Sequence, residues 1–303
     1  MFYIAIMLIV LASVLARLYF LKREIRRAAR QLRELNKNRT EKKIDLAFFD
    51  RDIENLAKEI NDQIDLTRKA KAEKRKTENE LKQAISYISH DIRTPMTTIL
   101  GYIQLLESGD VSPDMRQQYI ATIKNGAQRL KVLLEDFFEL SIIEQTDYPV
   151  KMEKIKLNHV VLEVLVGFYE EFNKRNIEPS INIPENDIVI MGDLSAVKRV
   201  IENLVINAIR HSSGNVAIHL EEFAPSVQLA ISNSVKQLND EDIRHMFDRF
   251  YKADQTRTGK GTGTGLGLPI AKNLMEKMNG TITAELIDGR LLLECKWIKN
   301  RKS

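Results

Sequence analysis

The sixteen residues MFYIAIMLIVLASVLA that open the chain carry no charge, and no other feature restricts its folding as much. Extended by residues 18–21, with the Arg17 head able to snorkel toward an interface, the segment reaches about 20 residues, the length at which a helix crosses a bilayer. A cleaved signal peptide is the rival reading. Its positive residues precede the apolar run, whereas here Lys22, Arg23, Arg26, Arg27 and Arg30 follow it. The positive-inside rule keeps those residues in the cytoplasm and leaves almost nothing outside. Residues 1–21 are therefore expected to form a single-pass anchor in the cell membrane, in contact with membrane lipid, with the remainder cytoplasmic.

The chain has 303 residues, so the remainder has room for two compact domains and connecting helices. Hydrophobic residues make up 44% and charged residues 29%, the balance of a globular chain with long amphipathic helices rather than of a disordered one. The net charge is only +4, with the basic excess close to the apolar run, so no nucleic acid partner is expected. A single cysteine, Cys295, leaves no disulfide framework and points to a reducing compartment.

Residues 22–83 contain neither proline nor glycine, and Ile53, Leu56, Ile60 and Ile64 recur at helical spacing. This predicts a long cytoplasmic linker helix or coiled coil; a solvated charged linker is the alternative. The stretch Asp52-Ile53-Glu54-Asn55-Leu56-Ala57 resembles the second helix of a HAMP signal-relay module, without a recognisable first helix. A degenerate linker helix is therefore expected over 22–83, with a degenerate HAMP-like module as the alternative. Beyond it, Ile85, Ile88, Ile92, Ile99, Ile103 and Leu106 form an apolar stripe that Pro95 interrupts, and a proline inside a helix favours a kink. Residues 107–114 have turn composition, and a second helix is expected over 115–144, with Ile120, Ile123, Ala127, Leu130, Leu134 and Phe137 on one face. Two long helices and a short loop make a hairpin over 84–147, whose apolar surface calls for a second copy and a four-helix bundle. A homodimer is expected.

After Pro149 the pattern changes. Alternation over residues 180–183, 187–191, 216–220, 227–231, 281–286 and 291–298 predicts strands, and residues 157–175, 194–210 and 266–278 have helical periodicity. Strands mixed with helices in no strict βαβ order predict a C-terminal α/β sandwich over 152–303, so the chain as a whole is α+β.

Within the first hairpin helix lies Ser89-His90-Asp91-Ile92-Arg93-Thr94-Pro95. His90 falls on the polar side of a stripe that buries Ile88 and Ile92. An adjacent carboxylate can hold one ring nitrogen protonated and leave the other nucleophilic, which suits phosphoryl acceptance. A histidine on a helix is more often structural, and His159, His219 and His245 are read that way. In the second domain Asn203 and Asn207 stand four apart, on one helix face, with Arg210 and His211 just after. Neutral amide oxygens suit a hard cation that also carries phosphate and water. Gly259, Gly261, Gly263, Gly265 and Gly267 then lead into an amphipathic helix. Glycines at a helix N-terminus let backbone amides approach phosphates. This is neither a Walker A loop nor a Rossmann turn.

His90-Asp91-x-Arg93-Thr94-Pro95 resembles the H-box of bacterial sensor histidine kinases of two-component systems. The asparagine helix resembles their N-box, Phe247-Asp248-Arg249-Phe250-Tyr251-Lys252 their F-box, and the glycine run their second glycine box, in the family's order. The resemblance covers residues 84–297. It implies ATP-dependent phosphorylation of His90, with Asp91 assisting proton removal, and transfer to an aspartate of a cognate response regulator. It implies that Thr94 positions water if the regulator is also dephosphorylated. The second domain would then belong to the ATPase superfamily shared with gyrase and a heat-shock chaperone, with a mobile lid at about residues 252–263. Asn203 and Asn207 would handle Mg2+ and phosphates, and Arg210 and Lys252 would contact phosphates. His211 would line the pocket, while Gly261, Gly263, Thr264, Gly265 and Gly267 would wrap the phosphate chain.

One departure stands out. Where the family's first glycine box has Asp-x-Gly-x-Gly, this chain has Asn233-Ser234-Val235-Lys236-Gln237. Asn233 can still accept a hydrogen bond from the adenine amino group, without the charge, so weakened nucleotide binding is expected. A membrane-tethered dimeric scaffold or pseudokinase is the alternative, and a protein serine kinase of the same superfamily is disfavoured by the His90 hairpin. With no segment outside the membrane, an accessory membrane sensor or transporter is a further expected partner.

Overall fold

The computed structural model describes residues 2–36, 43, 51–109, 111–253 and 263–299. They divide into two compact units, Met1–Gln83 and Ala84–Ser303.

In the first unit, α1 (Phe2–Asn36) carries one stretch long and apolar enough to cross a membrane, exposed along its length. Helix α2 (Arg51–Glu107) begins here and supplies the expected linker helix from residue 51. Most of residues 37–50, also expected to be helical, lie outside the described residues.

In the second unit, α2 continues unbroken through Pro95 to Glu107 and turns into α3 (Pro113–Ile143). The start of α3 is fixed locally. Ser112 caps it by accepting from the Met115 N–H, and Pro113 takes the first helical position, where a missing N–H costs nothing. The expected helical hairpin forms from the end of α2 and α3, and its outer faces differ. Leu133, Leu140 and Ile143 are buried in the core shared with the C-terminal domain. Ile120, Leu134, Phe138 and Ile142 on α3, like Ile85, Met96 and Leu100 on α2, are exposed.

The C-terminal domain has a five-stranded sheet in the order β2-β4-β5-β7-β6. Its strands are β2 (Ser180–Asn182), β4 (Val216–Phe223), β5 (Ser226–Ser234), β6 (Thr281–Ile287) and β7 (Arg290–Ile298). Neighbours are antiparallel except β2 and β4. Alternation puts Val227, Leu229 and Ile231 of β5, and Leu291, Leu293, Cys295 and Trp297 of β7, on one buried face. That face packs in one core with α4 (Leu157–Gly167), α6 (Leu194–His211) and α8 (Gly267–Lys277). A separate antiparallel pair joins β1 (Glu153–Lys156) to β3 (Val189–Gly192). The helix expected over 157–175 is two helices, because the chain leaves helical geometry at Phe168 (φ −100°, ψ 11°) before α5 (Tyr169–Lys174). Helix α7 (Asp240–His245), not anticipated, is set by a capping box between Asn239 and Asp242.

Candidate active site

Helix α6 is the backbone of the site. Its N-terminus is held by Asp193, whose carboxylate accepts from the Ser195 and Ala196 N–H groups, the Ser195 hydroxyl and the Lys151 N–H. Its apolar face (Val197, Val200, Ile201, Leu204, Ala208) is sealed in the core, which leaves Asn203 and Asn207 on the edge that borders a cavity of about 630 Å³. Asn203, Asn207, Arg210, His211, Lys252, Gly263, Thr264, Gly265 and Gly267 all line it. Gly261 lies outside the described residues. Asn233 is fully buried on the core face of β5 and is not in the cavity wall; Leu291, its register partner on β7, is.

The glycines entering α8 are there for space. Gly265 has φ +72°, and a Cβ there would fall 3.0 Å from the Phe250 backbone. A Cβ on Gly267 would fall 3.0 Å from Asn203 Oδ1. Asn203 thus turns its oxygen toward Gly267 and leaves its buried Nδ2 without a partner. Asn207 Oδ1 and Asn233 Oδ1 are likewise buried and unpaired. Buried polar atoms without partners are costly, and at Asn203 and Asn207 they supply one donor suited to a phosphate oxygen and one oxygen suited to a hard cation. A nucleotide triphosphate with its metal fits this set. Burial lowers the His211 pKa, helped by Arg210 and Arg175, so the ring is neutral at neutral pH. Burial also lowers Arg210, with Asp136 opposing and Arg175 adding to the shift.

The hairpin reaches this cavity. His90 is 71% exposed on α2, with Nδ1 3.3 Å from Asp91 Oδ1, so Nε2 is the ring nitrogen that Asp91 does not engage. The other Asp91 oxygen pairs with Lys252, which lines the cavity. Thr94 donates its hydroxyl to the His90 carbonyl at 3.1 Å. From α3, Asp136 enters the cavity wall itself. It accepts from Thr264 Oγ1 at 2.7 Å and from Arg199 Nη2 at 2.8 Å. Arg199 also grips Glu139, through Nε at 2.9 and 3.0 Å and Nη2 at 2.5 Å. Burial works against the Arg199 charge, but the Glu139 hydrogen bonds and the Glu139 and Asp136 charges outweigh it and raise its pKa. Farther along, Arg249 pairs with Glu144 at 2.7 Å and Lys277 donates to the Gln145 carbonyl at 2.6 Å.

Asp136, Glu139 and Arg199 are absent from the sequence reading. The available signal was the spacing of Asp136 with Leu133, Leu140 and Ile143, which puts a carboxylate in line with an apolar stripe distinct from the one used to infer the hairpin.

An exposed histidine on a helical hairpin, bridged by a carboxylate to a nucleotide-type cavity, defines a phosphotransfer protein. Residues 80–146 match the His Kinase A (phospho-acceptor) domain, and residues 192–293 match the Histidine kinase-, DNA gyrase B-, and HSP90-like ATPase family. Sensor protein VanSC of Enterococcus gallinarum is 30% identical over 257 residues, covering 84% of this chain and 70% of that protein. Sensor histidine kinase YcbM of Bacillus subtilis is 25% identical over 239 residues, 78% of this chain and 77% of that protein. The histidine kinase ThkA, solved in complex with the response regulator protein TrrA, shares the fold with a TM-score of 0.62 at 24% identity. It covers 77% of this chain and 66% of its own. The chain belongs to the sensor histidine kinases of two-component systems and is an ATP-using protein-histidine kinase.

Proposed function

We propose that this kinase phosphorylates His90 and passes the phosphoryl group to an aspartate of a cognate response regulator. The observation that carries this reading is the continuous link from the exposed His90 ring through Asp91 to Lys252 at the cavity. Nε2 is the free nucleophile. It bonds to the terminal phosphorus of ATP as the bond to the ADP oxygen breaks and ADP leaves. Asp91 holds the Nδ1 proton and offsets the positive charge that the ring acquires. Asn207, with Asn203 beside it, would hold Mg2+ and the phosphates, and the metal would neutralise charge on the transferred group.

The exposed apolar faces of α2 and α3 support a homodimer in which one protomer's hairpin packs on its partner's as a four-helix bundle. The apolar stretch of α1 supports a single-pass membrane anchor, with the basic residues that follow it, and the catalytic part, in the cytoplasm. ThkA is solved with a regulator bound, and a regulator aspartate is the acceptor that suits a phosphoimidazole here.

The test is incubation of the full-length chain, in detergent or nanodiscs, with Mg2+ and ATP radiolabelled in its terminal phosphate. Wild type should gain acid-labile label and His90→Ala none. Equal labelling of the variant would exclude His90 as acceptor. An unlabelled wild type would favour a membrane-tethered dimeric scaffold instead.

A further inference from the structure

We propose that the hairpin stem and the nucleotide compete for the same side chains, with Asp136 as the principal competitor. Asp136 would position the segment entering α8 on the stem until the triphosphate displaces it. The inference rests on assigning the cavity to ATP.

Thr264 and Lys252 were both assigned to phosphate on sequence grounds, and both are engaged by carboxylates from the stem. Thr264 donates to Asp136 on α3, and Lys252 pairs with Asp91 on α2. A hydroxyl has one proton to donate. The Thr264 oxygen already accepts from the Leu266 N–H at 3.3 Å, so its proton serves either Asp136 or a phosphate oxygen. Asp136 is also only 14% exposed and stands in the cavity wall, where its charge acts on Arg210 as well as Arg199. A triphosphate would bring several negative charges into a wall that already holds the Asp136 and Asp242 carboxylates, of which Asp136 alone comes from the stem, and burial leaves that repulsion poorly screened.

The contacts of Arg249 with Glu144 and of Lys277 with Gln145 involve no residue of the cavity wall. Competition therefore bears on the Asp91 and Asp136 end of the docked surface and leaves the Glu144 and Gln145 end in place. Because coupling is reciprocal, whatever factor docking takes from nucleotide affinity, nucleotide takes from docking.

Asp136→Asn keeps the shape and can still accept from Thr264, but removes the charge. In the full-length chain it should tighten binding of ATP and of a non-hydrolysable analogue by about fivefold to tenfold, while adenosine binding stays unchanged. In wild type, hydrogen exchange along residues 133–143 should quicken on adding ATP and not on adding adenosine. A purely structural Asp136 would shift ATP and adenosine together. If Asp136→Asn leaves ATP affinity unchanged or weakened while Asn207→Ala abolishes binding, the competition is refuted and the nucleotide assignment stands. If wild type and Asp136→Asn both fail to bind ATP, the assignment falls and the competition with it.

Discussion

Asp91 divides its carboxylate between two partners, with one oxygen 3.3 Å from His90 Nδ1 and the other on Lys252. The carboxylate beside the proposed acceptor ring is thereby tied to a cation that lines the cavity. Asp91→Asn preserves the side-chain shape but loses the charge that stabilises a protonated ring. Its initial rate of autophosphorylation should fall by about a hundredfold, with ATP binding no weaker than in wild type because Lys252 is released. A variant that loses ATP binding and rate together would show that Asp91 acts on the fold of the cavity instead.

Asn207 is the position where function and stability should part. Its buried Oδ1 has no partner, and such an atom costs about 1–3 kcal/mol. Asn207→Ala removes that cost together with the oxygen proposed to hold the metal. Magnesium-dependent ATP binding should weaken by more than about tenfold, and the melting temperature of the nucleotide-free protein should not drop. Titration with and without Mg2+, alongside thermal unfolding, reads both quantities.

Two glycines separate backbone strain from crowding. Gly265 (φ +72°) and Gly289 (φ +74°) share the left-handed region, but a Cβ at 265 meets the Phe250 backbone at 3.0 Å and one at 289 meets nothing. Gly289→Ala should cost only the backbone penalty, about 1–2 kcal/mol. Gly265→Ala should cost more and should also weaken ATP binding, since Phe250 and Tyr251 lead directly to Lys252. Denaturant unfolding of the pair measures the difference.

The cap on α6 predicts a pH dependence. Burial pushes the Asp193 pKa up, but hydrogen bonds from Ser195, Ala196 and Lys151 outweigh it, and the net shift is downward from 3.8. Its stabilisation is therefore present above 3.8 and is lost as pH falls through the lower folded value. Asp193→Ala should cost about 1 kcal/mol at neutral pH. In urea unfolding that gap should narrow steadily in acid below the ordinary aspartate pKa.

Periodicity made the long elements readable. The alternation in β4, β5 and β7 reflects a single buried face, which a sequence records directly, and the apolar spacing from Ile85 to Leu106 and along α6 is that of a helix. Strand β1 escaped because only Ile155 of its four residues is buried, so its alternation is too short to register. The cavity-lining glycines and amides were readable because their chemistry is local, whereas Asn233, assigned with them, sits behind the wall. The docking charges were not readable. Arg199 lies 63 residues from Asp136, and Lys252 161 from Asp91, and pairing across such separations leaves no pattern along the chain.

Pro95 and Gly126 meet at one level of the stem. Pro95 has no N–H to offer the carbonyl four residues earlier, that of Asp91, while Thr94 and Thr98 return their hydroxyls to the His90 and Thr94 carbonyls. Opposite, a Cβ on Gly126 would stand 3.0 Å from Ile99 Cγ1 and 3.6 Å from the Pro95 carbonyl. One rail of the hairpin is thus missing a rung at a level where the other packs against it without a side chain between. The helix is therefore least stiffly held about one turn beyond His90, so bending of the stem at this level would change the direction in which that ring points.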